Sequence, residues 1–162
     1  MGWHQAYLVQ ARSDYAVLKR LGAAGVENCH RLHYLQMVTE KISKAMLTPP
    51  NSKVPAQPSH RMFVRMLQVI KSRPEIRQQL GFRSSLVFKS YLDSILDLAA
   101  KIEELSPDQA GFTQPNPEYP WQEDASQPVV APAEHCFAQF DPRDPRMVKI
   151  ERLIDDLLRL TN

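Results

Sequence analysis

His30 and His33 bracket Arg31 and Leu32 in the stretch ENCHRLHYLQMVTEKISKAML, residues 27–47. An imidazole changes charge near neutral pH and a guanidinium is a fixed cation. Side by side they are the ingredients of general acid/base work on a phosphodiester. Further along the same stretch, Glu40 and Lys44 stand one helical turn apart in the order that favours an ion pair. His30, His33, Met37, Glu40 or Lys41, and Lys44 recur at three- and four-residue steps, so a helix gathers them into one column. That column reads either as a recognition or reaction surface, or as a solvated face holding an ion pair and partly buried histidines. A zinc set of Cys29, His33, His135 and Cys136 can be drawn. It lacks paired Cys-x-x-Cys spacing, so neither a metal nor another cofactor is expected.

The elements that must position these residues follow from the apolar pattern. Leu8, Ala11, Tyr15, Leu18 and Leu21 mark one side of a helix over about residues 3–21, broken by Gly22 and Gly25. Leu32, Leu35, Val38, Ile42, Ala45 and Met46 mark a second, which stops at Pro49 and Pro50. TPPNSKVPAQP, residues 48–58, reads as a mobile loop, and Ser59 is placed to cap a third helix burying Met62, Phe63, Met66, Leu67 and Ile70. Pro74 opens a short helix closed by Gly81. Ser84 or Ser85 caps an unbroken helix from there to Leu105, with Phe88, Tyr91, Leu92, Ile95, Leu98, Ala99 and Ile102 inward. Asp144 and Pro145 begin a last helix burying Met147, Ile150, Leu153, Ile154, Leu157 and Leu158.

Between the last two helices, residues 106–142 hold seven of the chain's prolines, six acidic residues and no lysine or arginine. Phe112, Tyr119, Trp121, Phe137 and Phe140 are more aromatic surface than a linker carries, so this insertion is expected to wrap over the bundle and bury several rings. The sequence therefore specifies one domain over residues 1–162: an all-α, up-and-down bundle of five or six helices with a long proline-rich insertion before the last.

The whole chain of 162 residues has a formal charge of only +2, which demands neither nucleic acid nor an anionic membrane globally. No stretch approaches the roughly 18 apolar residues of a membrane span, and the N-terminus lacks the apolar run of a signal peptide. A cytoplasmic protein with reduced cysteines is expected. Charge is nonetheless uneven. Residues 60–83 carry Arg61, Arg65, Lys71, Arg73, Arg77 and Arg83 against Glu75, a patch suited to RNA, DNA or nucleotide phosphates unless the acidic insertion folds back and neutralises it.

The order AYLVQARSDYAVLKRL, HYLQMVTEKISKAML, a proline-containing loop and then SHRMFVRMLQVI resembles the HEPN superfamily over about residues 5–105. The resemblance rests on Glu40, Lys41, Lys44 and Ala45, on His60 at the opening of the third helix, and on Tyr119 and Pro120 in NPEYPW. It implies a small helical domain, a homodimer, and a partner such as a nucleotidyltransferase or another component of a prokaryotic defence or toxin-antitoxin module. Many members are ribonucleases whose site is an arginine and a histidine separated by four to six residues, with two such motifs meeting across the dimer.

This chain departs from that pattern. The positions that would carry the arginine are Val26, Glu27 and Asn28 ahead of His33, Ala23, Ala24 and Gly25 ahead of His30, and Pro128, Val129 and Val130 ahead of His135. His60 has only Lys53. Arg31 lies roughly 200° around the helix from His33. The expectation is a nucleotide- or nucleic-acid-associated binding module, with His30, His33, Glu40, Lys44, Arg61 and Arg65 as binding residues. The alternatives are a metal-independent RNA endonuclease using His33 or His60 with Arg31 or Arg61, and a protein-interaction domain with no nucleic-acid role.

Overall fold

In a computed structural model of the chain, residues 1–57, 59, 61–106 and 113–161 are described. The candidate His60 and the ring of Phe112 lie outside them. The protein is an all-α bundle. Helix α1 spans Trp3–Ala24 and α2 spans Asn28–Leu47, with Gly25 between them at φ 65°, the left-handed conformation that ends helices cheaply when no Cβ is present. Gly22 does not interrupt α1, which continues one turn beyond the length that periodicity suggested. A connection this short turns the chain back, and α1 and α2 form the most extensive helix pair.

Helix α2 is the centre of the bundle, touching α1, α3 (Phe63–Ile70), α6 (Leu96–Glu104) and the last helix, α7 (Pro145–Leu160). Its apolar stripe Leu32, Leu35, Val38, Ile42 and Ala45 is buried, and so are Gln36, Thr39, Glu40 and Ser43. The hydroxyls are satisfied within the helix: Thr39 Oγ1 donates to the Gln36 carbonyl and Ser43 Oγ to that of Thr39, so both can be buried without a partner elsewhere.

The third helix begins later than Ser59 suggested. Ser59 Oγ accepts from the Arg61 amide and closes a turn ahead of the helix, whereas α3 starts at Phe63 with no side-chain cap from its own N-cap residue, Met62. Short helix α4 (Pro74–Gln79) ends as expected at Gly81, φ 78°, where the Phe82 amide bonds the Arg77 carbonyl and the Gly81 amide that of Gln78, a Schellman closure.

The long helix expected from Ser84 to Leu105 divides into α5 (Ser85–Asp93) and α6. Ser84 caps α5 by accepting from the Val87 amide. At the break, Ser94 Oγ donates back to the Tyr91 carbonyl and accepts from Lys149 Nζ, while the Ile95 amide takes a tighter bond to Leu92. A serine bonding its own preceding turn offers the backbone an alternative to the helical ladder, and the chain bends there. The apolar positions Leu92, Ile95 and Leu98 still all face the core.

The insertion packs onto the bundle. Trp121, Phe137 and Phe140 are buried to 1% exposure, so they are core residues, while Tyr119 is half exposed. Trp121 and Val130 exchange backbone hydrogen bonds in an isolated bridge, and no strand forms among the described residues. Burying rings of this size stabilises by about 1.5–3 kcal/mol each, so the segment is held by its aromatic residues despite its prolines.

Candidate functional site

Beyond His30, the column on α2 is largely withdrawn from water. Lys44 Nζ lies 2.6 Å from Glu40 Oε1, both side chains largely buried, and Gln36 Nε2 reaches Glu40 Oε2 at 3.4 Å. Lys41 Nζ lies 3.6 Å from Asp14 Oδ2 on α1, and Gln10 Nε2 donates to Asp14 Oδ1 at 2.8 Å. These charges are a polar seam between the two longest helices. The ion pair read from the Glu40–Lys44 order is present, but inside the fold and not on a solvated surface.

The histidines separate. His30 is exposed, with Nε2 3.9 Å from Glu27 Oε2. His33 is half-buried, its ring edge-on to Tyr34, and its Nδ1 lies 3.0 Å from Glu118 Oε1 of the insertion, in contact yet not aligned for a hydrogen bond. Glu118 is held there by a turn in which buried Asn116 Oδ1 accepts from the amides of Glu118 and Tyr119. Arg31 instead reaches α7, where its Nη2 donates to Glu151 Oε1 at 2.5 Å. Arg31 and His33 therefore do not converge within one chain, as the helical angle required.

Cys29 is buried and Cys136 exposed, both free thiols, and burial pushes the Cys29 thiol above its ordinary pKa. His135 sits edge-on against Trp121 and Phe137 as part of an aromatic cluster. Among the described residues no group of three or more histidine, cysteine or acidic side chains is arranged to hold a metal.

The basic segment presents a different face. Arg61, Arg65, Arg73 and Arg83 are exposed. Lys71 is paired with Asp93, and Arg77 is structural, its Nη1 donating to the carbonyls of Phe82 and Arg83. Three of the described acids of the insertion turn elsewhere: Glu118 to His33, Asp141 to Arg143, and Asp124 to the Ser126 amide. Among the described residues no ion pair joins the insertion to residues 61–83. Arg61, Arg65, Arg73 and Arg83 are exposed and have no ion-pair partner among the described residues.

A second feature had no signal in the sequence. A cleft of about 700 Å³ lies between the α1–α2 turn, α7 and residues 136–143, with Arg31 and Glu151 on its wall. It is assembled from segments far apart in the chain, none of which carries a motif.

Fold and site together define an all-α protein with an arginine-rich exposed face and a separate, largely apolar cleft that holds the Arg31–Glu151 pair on its wall. Among the described residues no helix is long and apolar enough to cross a membrane. No family model matches the sequence, and no curated protein and no solved structure matches it either.

Proposed function

We propose that this chain is a HEPN-like nucleotide- or nucleic-acid-associated binding module that meets phosphates through Arg61, Arg65, Arg73 and Arg83 and lacks the family's ribonuclease pair. The observation that carries the reading is the exposure of these four guanidiniums without an ion-pair partner among the described residues. Arginine forks suit phosphate oxygens, and affinity for single strands comes mainly from such contacts. The engagement of Arg31 with Glu151 and of His33 with Glu118 supports binding over cleavage, because each group is held by a carboxylate on a different side of α2. The homodimer, the nucleotidyltransferase-type partner and the defence or toxin-antitoxin setting come with the resemblance and belong to the same proposal.

The test compares the wild-type chain with the double variant Arg61→Gln/Arg65→Gln on a labelled RNA oligonucleotide at low salt. Fluorescence anisotropy reads binding, and a denaturing gel reads strand length. Binding that falls about tenfold or more in the variant, with intact RNA throughout, is the expected result. Equal binding by the two proteins would remove the arginine face from the account. Cleavage lost in His33→Ala would replace the binding module with an endonuclease.

A further inference from the structure

The cleft beside Arg31 falls within the roughly 300–1,000 Å³ of small-molecule sites. Leu21, Val26 and Phe137 give it apolar walls, and the exposed thiol of Cys136 stands on its lining. Arg31 is mostly withdrawn from water. Its Nη2 is held by Glu151, but its Nη1 is buried with no acceptor. A cationic donor stripped of water and left unmatched is unfavourable, and an acceptor in the cleft relieves it once the Arg31 side chain turns to meet it. The two carboxylates on the lining are already engaged, Glu151 by Arg31 and Asp141 by Arg143. The start of α2, on the same wall, brings no side-chain cap, and Glu27 at its N-cap position is not among the residues lining the cleft.

We infer that this cleft binds a small organic anion, a phosphate or carboxylate joined to an apolar body, with Arg31 as its anchor and Leu21, Val26 and Phe137 against the body. The inference is independent of the arginine face on residues 61–83, which lies on other elements.

Cys136 supplies the readout, because Cys29 is only 2% exposed and is shielded from a thiol reagent. The rate of Cys136 modification in the folded full chain is measured with naphthyl phosphate, naphthoate, neutral naphthol and inorganic phosphate. Saturable protection by naphthyl phosphate or naphthoate, at concentrations where naphthol and inorganic phosphate protect less, is expected. Whichever of the two protects at lower concentration identifies the anion. Arg31→Gln is expected to raise the protecting concentration about tenfold or more. Ala138→Trp, which fills the cleft from an exposed position, removes protection without touching the ion pairs, and it carries the test if Arg31→Gln does not fold. Arg61→Gln/Arg65→Gln retains protection. Absence of saturable protection in the wild type, or equal protection in wild type and Ala138→Trp, would overturn the inference.

Discussion

Glu103, near the end of α6, caps α3: its Oε1 accepts from the backbone amides of Phe63 at 2.6 Å and Val64 at 3.0 Å. A helix that begins without a cap of its own is thus capped by a carboxylate contributed across the bundle. Replacing Glu103 with alanine leaves one buried and one partly buried amide without this acceptor and is expected to cost about 1–3 kcal/mol. Denaturant unfolding measures it, and a loss below a few tenths would show that α3 does not depend on this contact.

The same carboxyl sets a pH dependence. Burial raises the Glu103 pKa above its ordinary value, and the two amide bonds only partly oppose the shift. The folded protein therefore holds the proton more tightly than the unfolded chain, so this group's contribution falls as pH rises from the ordinary carboxylate range through the raised value. Wild type is expected to lose stability relative to Glu103→Gln over that window. Parallel stability curves for the two proteins would contradict the assignment.

Tyr15 and Tyr91 carry the alkaline counterpart. Burial pushes both phenols up to about 12, helped at Tyr15 by Asp155 and Glu151, and Tyr91 Oη donates to the Lys149 carbonyl of α7. The neutral phenols are favoured by the fold, so stability falls as pH rises from about 10 towards 12. Ultraviolet titration of Tyr91→Phe is expected to lose one late-titrating phenol, whereas loss of a phenol titrating near 10 would place Tyr91 in water.

Lys44 tests whether the seam on α2 is structural. Removing its ammonium takes away a 2.6 Å charge-assisted contact to Glu40 in a largely buried setting, and Lys44→Ala is expected to cost about 1–3 kcal/mol while leaving RNA affinity unchanged. A fall in affinity at unchanged stability would return the column to the role of a recognition surface.

The insertion is tested by Trp121→Ala, which empties a fully buried site and is expected to cost about 3–5 kcal/mol in thermal or chemical unfolding. A change within a few tenths would mean that the wrap over the bundle contributes nothing to the fold.

What the sequence discloses divides along the distance between partners. The stripes of α1, α2 and α7 are local repeats, and Asp144 with Pro145 is a local cap: Asp144 Oδ1 accepts from the Arg146 amide, as the pair of residues implies. Ser94 breaks a helix whose apolar period runs on unbroken, because the break depends on a hydroxyl turning back onto its own helix and meeting Lys149. Glu103 on α3, Glu118 beside His33 and Glu151 beside Arg31 are pairings across the fold that no spacing encodes. The aromatic content of the insertion did announce its burial, though not which rings are covered. The exposed arginines were legible as a charge run, and the absence of an ion pair between them and the described acids of the insertion was not.

The most direct measurement of the central claim is the salt dependence of RNA binding by the full chain. Four arginine contacts to a single strand give a slope of about −3 in log K against log salt, reduced to about −1.5 in Arg61→Gln/Arg65→Gln. A slope near zero, or an unchanged slope in the double variant, would contradict a phosphate-binding role for this face.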